Sequence, residues 1–132
     1  MCGRLNVTDD PLTKIVTDVL GISFRTTSNC DLRPSESIEA VHFKQGKPEQ
    51  LSLSWGFKPS WAKRPLINAQ SETVAVKPTF REAFRFHRCV VPCTGWYEWL
   101  TLKRGRRKNV HLRILKARWY GWRAFTFTVN HW

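Results

Sequence analysis

The chain has 132 residues and a formal net charge of +12, from 22 Lys/Arg against 10 Asp/Glu; 13% of it is aromatic, and Trp alone occurs 7 times. That length supports one domain with a modest core, the aromatic content excludes a disordered composition, and no apolar run approaches the ~20 residues of a membrane span. The basic excess favours a polyanionic partner, with nucleic acid as the default. No basic segment followed by an apolar stretch opens the chain, so no secretory signal is expected. Cys2, Cys30, Cys89 and Cys93 resemble no dense disulfide framework, and reduced thiols in a cytoplasmic setting are expected. The charge is unevenly spread. Every acid lies at or before Glu98, whereas residues 99–132 hold nine Lys/Arg and no acid, which suits a phosphate-binding arm or a segment of different origin.

In chain order, the first predicted element is a helix. Asp10 suits its N-cap and Pro11 its first position; Leu12, Ile15, Val16, Val19 and Leu20 share one face at helical spacing, which predicts a core-facing stripe. Gly21 is its expected stop. Residues 22–37 read as irregular. Ile38 to Phe43 reads as a strand, Gln45-Gly46 as a turn, and Leu51, Leu53 and Trp55, alternating with Ser52 and Ser54, as the returning strand of a hairpin. Gly56 to Pro65 is expected to be a loop with an exposed Trp61, and Leu66 to Val76 is ambiguous. Pro78 with Phe80, Ala83 and Phe84 predicts a short helix. Arg88 to Pro92 and Trp96 to Leu100 read as strands, the second with Trp96, Glu98 and Leu100 on one face and Tyr97 and Trp99 on the other. Lys103 to Lys108 reads as a basic turn, and Val110, Leu112 and Ile114 as one more strand.

Position 2 carries distinctive chemistry. Cysteine is small enough for the initiator Met to be removed, which leaves an α-amine and a thiol on adjacent carbons. Such a 1,2-aminothiol condenses with an aldehyde: the amine forms a Schiff base and the thiolate closes it to a thiazolidine. The amine titrates near about pH 8 and the thiol near about pH 8.5, so both are partly deprotonated at neutral pH.

Five segments in order resemble one family: Met1-Cys2-Gly3-Arg4, Trp55-Gly56-Phe57-Lys58-Pro59-Ser60-Trp61, Asn68-Ala69-Gln70-Ser71-Glu72-Thr73, Lys77-Pro78-Thr79-Phe80-Arg81-Glu82-Ala83-Phe84, and Arg88-Cys89-Val90-Val91-Pro92-Cys93-Thr94-Gly95-Trp96-Tyr97-Glu98-Trp99. Across roughly residues 1–100 the chain resembles the SOS response-associated peptidase family, which shields abasic sites in single-stranded DNA. The resemblance implies an α+β fold, mainly β, with a barrel-like sheet and flanking helices. It implies that Cys2, exposed by self-removal of Met1, attacks the ring-opened sugar aldehyde, with Asn68 and Glu98 as the other catalytic residues. Arg4, Asp31, Arg33, Trp61 and Gln70 are the expected DNA-binding residues. The expected partner is single-stranded DNA with abasic sites, bound by a cytoplasmic, nucleoid-associated monomer with no membrane contact. This chemistry requires neither metal nor organic cofactor.

The residue types agree with these roles. Loss of water from a carbinolamine needs a proton shuttle, which a half-buried strand carboxylate such as Glu98 supplies. Asn68 offers both a donor and an acceptor to orient the reactants, and Arg4 suits a phosphate. Read without the resemblance, Glu98 is a strand carboxylate paired with an arginine, Asn68 a turn-capping residue, and Arg4 a solvated charge. Trp55 reads as core, and Trp61 as either core or a base-stacking platform.

Three positions depart from the family pattern. Gln70 stands where an Arg is common, and Asp31 stands where an Asn-x-x-Pro loop has its Asn, with Arg33 able to compensate electrostatically. The family's catalytic His, in a His-x-Arg-Met-Pro-like segment, is expected beyond Trp132, and neither His111 nor His131 lies in matching surroundings. From about residue 110 the strand pattern gives way to Arg/Trp-rich sequence, so residues 103–132 are expected to form an atypical basic tail of a truncated or frameshifted member. Three other readings compete with this one: a zinc site at His87, Cys89 and Cys93, a Cys/His hydrolase, and a non-catalytic single-stranded DNA-binding module or inactive fragment.

Overall fold

The computed structural model describes residues 3–101, 107–113 and 126–128. Its elements run in the order β1 (Leu5–Val7), α1 (Asp9–Leu20), β2 (Asn29–Leu32), β3 (Ser37–Lys44), β4 (Lys47–Ser54), α2 (Pro78–Phe86), β5 (Arg88–Val90), β6 (Gly95–Thr101), β7 (Arg107–Arg113) and β8 (Thr126–Thr128). The fold is mixed α and β and mainly sheet. The expected barrel-like sheet is not what the described residues form: they make two four-stranded sheets, ordered β2-β1-β6-β7 and β4-β3-β5-β8, with no closed barrel among them. Among the described residues each sheet has two edges, and closure into a barrel would require such edges to pair.

The β3–β4 hairpin follows from its turn. Lys44 pairs with Lys47, leaving Gln45 and Gly46 as a two-residue loop, and both central residues have positive φ (50° and 79°). That is the turn whose twist matches antiparallel strands, and Gly46 adopts it without strain. Within the hairpin, Ile38 and Ala40 of β3 and Leu53 of β4 are buried, as is Val41.

Helix α1 ends as its sequence predicts, with Gly21 left-handed (φ 66°) and its N–H donating to the Thr17 carbonyl at 2.9 Å. Asp10 keeps an extended backbone inside the assigned span, so the regular helix starts at Pro11. Its apolar stripe is only partly core. Leu12 and Val16 are buried and Leu20 packs against the core, whereas Ile15 and Val19 are 38% and 40% exposed. Two sheets meet only a narrow face of this helix, and the outer positions of the stripe are left to solvent.

The 22–37 stretch, predicted irregular, contains β2. Its four residues show no clear alternation in sequence; β2 pairs antiparallel with β1, with Leu5 opposite Leu32. One cluster of buried side chains draws on both sheets and α1, among them Leu5, Leu12, Phe24, Ala40, Leu53 and Trp55. No helix among the described residues is long and apolar enough to cross a membrane.

Candidate functional site

Arg4 precedes β1 and forms an ion pair with Asp31 of β2 (Nη1 to Oδ1, 3.1 Å). On the other side of the same carboxylate, Arg33 donates to Oδ2 from Nε at 3.0 Å and also from Nη2. One carboxylate thus holds two guanidinium groups, and Arg33 has more N–H donors than the two it spends on Asp31. The Arg33 fork, first through its hydrogen bonds and then through its charge together with that of Arg4, holds the Asp31 carboxyl below the ordinary aspartate value of 3.8. The Arg33 guanidinium is pushed up in turn by the same hydrogen bonds and charge. The backbone around it is fixed as well: the Asn29 side chain accepts the Asp31 N–H at 3.0 Å, and Glu36 accepts the Arg33 N–H at 2.5 Å.

Strand β6 lies beside β1 with Leu5 opposite Trp96 and Asn6 opposite Gly95. Tyr97 donates its backbone N–H to the Arg4 carbonyl at 3.1 Å, and its hydroxyl donates to the Cys30 carbonyl at 2.7 Å. Tyr97 therefore spans β1 and reaches β2, which ties the backbone at Arg4 to the strand that carries Asp31. Sequence reasoning missed this role; the signal available was a Tyr on the face of β6 opposite Trp96. Trp96 packs against the core, and Glu98, two residues on and so on the same face of β6, is half-buried. The backbone contact between Arg4 and Tyr97 extends this edge, and Glu98 is the next residue along β6. Cys2 lies outside the described residues.

Asn68, Gln70 and Trp61 arrive on the segment after β4. Phe57 and Leu66 form an isolated bridge with reciprocal hydrogen bonds of 3.0 and 2.7 Å. Two residues later comes Asn68, which is half-buried. Gln70 is exposed, and its carbonyl accepts from the N–H groups of Thr73 and Val74 at 3.1 and 2.9 Å, so its backbone builds a turn. Trp61 is 67% exposed, which rules out the core role left open for it.

Trp55 joins the two arms. It is 2% exposed, as its reading as core requires, but it also makes three hydrogen bonds that the sequence does not reveal. Its carbonyl accepts from Ser35 at 2.7 Å, its N–H donates to the Glu36 carbonyl at 3.0 Å, and its indole N–H donates to the Ile67 carbonyl at 3.2 Å. A single buried residue therefore ties the Arg33–Glu36 turn to the residue before Asn68. Gly56 beside it has φ 108°, a conformation only glycine adopts freely.

The zinc reading finds no support. Among the described residues no group of three His, Cys, Asp or Glu side chains is arranged to hold a metal ion. Cys89 is buried, and desolvation pushes its thiol up to about 11, so it stays a neutral packing group near pH 7. His111 lies on β7, level with Tyr97, and His131 lies outside the described residues.

Comparison with known proteins adds to this geometry. The family model described as SOS response associated peptidase matches residues 1–123. The abasic site processing protein YoaM of Bacillus subtilis is 32% identical over 111 residues, covering 77% of this chain and 48% of the relative. YedK of Escherichia coli, also named an abasic site processing protein, is 40% identical over 67 residues, covering 48% of this chain and 29% of the relative. The chain thus spans about half the length, or less, of these curated relatives. Among solved structures, a phage-related protein of Bordetella bronchiseptica superposes with a TM-score of 0.67 at 24% identity, over 83% of this chain and 54% of that one. A second protein from the same organism gives 0.63 at 19% identity, over 83% and 56%. At these identities the two structures speak for the fold.

Proposed function

Because the chain belongs to the SOS response associated peptidase family, we propose that it processes abasic sites in DNA, as the names of its relatives describe for them, and does so by covalent capture through Cys2. Removal of Met1 by hydrolysis, which we assign to the protein itself, frees the α-amine. That amine adds to the C1′ aldehyde of the ring-opened sugar, giving a carbinolamine that loses one water to become an imine. The Cys2 thiolate then adds to the imine carbon, and the amine nitrogen takes up a proton as the thiazolidine closes. No redox partner is needed, since one water leaves and no electrons are exchanged.

Glu98 is the proton shuttle of this scheme. It protonates the departing hydroxyl, regains that proton from the iminium nitrogen as the imine forms, and returns it to the nitrogen as the ring closes. Asn68 orients the amine and the aldehyde. Arg4 and Arg33, both bound to Asp31, hold the phosphates flanking the sugar by their positive charge, and Trp61 offers an exposed ring to a neighbouring unpaired base. Single-stranded DNA is the proposed form, because the ring-opened sugar and a stacked base are both reachable there, and one copy of the chain is the proposed acting unit.

The observation that carries this reading is the pairing of β1 with β6. β6 carries Glu98, and β1 follows Arg4, which pairs with Asp31 of β2, whose other oxygen Arg33 holds; the same antiparallel register continued beyond the paired residues would bring Glu98 toward Gly3, the residue after Cys2. The test is a denaturing gel of the protein incubated with single-stranded DNA carrying one abasic site, after an intact-mass measurement that checks loss of Met1. A heat-stable shifted band is expected, absent in Cys2→Ala and formed at least about tenfold more slowly in Glu98→Gln, a conservative figure for loss of a general acid. No band from protein lacking Met1 would overturn covalent capture. DNA binding that survives equally in Cys2→Ala, without any cross-link, would leave a non-covalent binding module.

A further inference from the structure

We infer that helix α2 and the start of β5 form a second contact surface for single-stranded DNA, made of Arg81, Arg85, Arg88 and Phe86. The inference rests on the reading of the protein as one that acts on DNA and adds a place where the strand lies outside the residues assigned to capture.

The helix sets the geometry. Arg81 and Arg85 are four residues apart and lie on one helical face, about 6 Å apart along the axis. Arg88 follows at the first position of β5. These arginines line an open groove of about 730 Å³ together with Glu82, Phe84 and Phe86. Glu82 is its lone acid, so three positive charges face one negative. Among the described residues none of the three arginines is ion-paired with a carboxylate. All three are exposed, so this charge is not spent on holding the fold.

The aromatic groups give the surface its second property. The Arg85 guanidinium lies over the Phe86 ring, 5.1 Å from its centroid, and that of Arg88 lies 5.9 Å from the centroid of Phe84. A guanidinium resting on a ring keeps its N–H edge free for a phosphate. Phe86 is 65% exposed at the end of the helix. A large apolar ring left in water beside unpaired arginines is poorly explained by folding alone. Phosphate and an unpaired base, repeating along one strand, match the two properties together. A duplex would satisfy the arginines and leave the ring unused.

The test uses the full chain and an intact single-stranded oligonucleotide without an abasic site, so that no cross-link forms, with binding read by fluorescence anisotropy across a salt series. Arg81→Ala/Arg85→Ala/Arg88→Ala should lower the slope of log affinity against log salt by about 2, from three phosphates at ~0.7 each. Phe86→Ala should weaken binding by about fivefold or more, the lower range for loss of one stacked base, with the slope unchanged. The triple Arg→Lys variant should restore the slope. All four positions are exposed, and a circular-dichroism spectrum matching the parent checks that α2 persists.

Unchanged affinity and slope in both variants would overturn the inference even where the protein cross-links abasic DNA normally. An equal effect of the triple substitution on blunt duplex, with none from Phe86→Ala, would also overturn it, since that pattern describes non-specific attraction. If the parent forms no cross-link at all while these variants lose binding to intact strands, covalent capture fails and this surface stands.

Discussion

In the proposed function Asp31 stands among groups that hold phosphates, where a carboxylate alone would repel DNA. It does not stand alone: Arg4 binds one of its oxygens and Arg33 the other, so these three groups together carry one net positive charge. Arg33 keeps N–H groups beyond the two it spends on Asp31, and the carboxylate stands between the two guanidiniums. The consequence for pH is definite in sign. A carboxyl held below its ordinary value adds stability at pH values above its unfolded pKa and loses it as pH falls through the lower folded one. The cluster is therefore expected to stay intact from neutral pH down to about pH 4 and to come apart below that. A carbon-detected NMR titration should place the Asp31 midpoint below 3.8, and Arg33→Ala should move it up. A midpoint unaffected by that substitution would mean that Arg33 does not hold the carboxylate in solution.

The segment carrying Asn68 shows how an element without regular structure acquires a fixed position. Two backbone hydrogen bonds between Phe57 and Leu66 and one from the Trp55 indole to Ile67 hold it against the end of β4. The bend that allows this is Gly56. A Cβ there would lie 3.4 Å from Ile67 Cγ2 and 3.5 Å from the Leu66 carbonyl oxygen, which are ordinary contacts, so the obstacle to any other residue is the φ of 108° rather than space. Gly56→Ala should cost about 1–3 kcal/mol, the range for a non-glycine residue held in such a conformation, and should slow cross-linking more than it weakens DNA binding, because Asn68 shifts while Arg4, before β1, and Arg33, after β2, do not. Chemical denaturation and a time course of the gel shift check the two parts. The residues of this segment could be read as a motif, but their attachment could not, since a lone Trp in an alternating strand looks the same whether or not its indole N–H has a distant partner. The β3–β4 hairpin was legible because its alternation and its Gln-Gly turn are local. β2 was not, because its four residues become a strand only by pairing with β1. The α1 stripe showed which side of the helix is apolar, but how wide a face the sheets cover is set by tertiary packing.

At the scale of the whole molecule, positive charge is the dominant feature, and its placement decides what it does. Residues 1–98 carry ten acids against thirteen Lys/Arg, and there arginines gather at the Asp31 cluster and along the α2 groove. The candidate capture residues were legible one by one, because each sits in a short motif. The α2 groove was not, since Arg81, Arg85 and Arg88 become one surface only when a helix and a strand are joined. Nine further Lys/Arg fall after residue 98 with no acid among them, and Arg107 and Lys108 begin β7, the strand paired with β6. Charge at the edge of the sheet that carries Glu98 is suited to hold the same strand of DNA as the Asp31 cluster. Replacing Arg104, Arg106, Arg107 and Lys108 with Gln should then reduce the salt slope for single-stranded DNA by up to about 3, at ~0.7 for each phosphate no longer neutralised, while the cross-link yield at saturating abasic DNA stays unchanged. Combined with the α2 substitutions the two reductions should add where the two regions hold different phosphates. A slope that the Gln substitutions leave unaltered would assign the excess charge of this segment to something other than holding the strand; a combined effect no larger than either alone would mean that the two regions compete for the same phosphates.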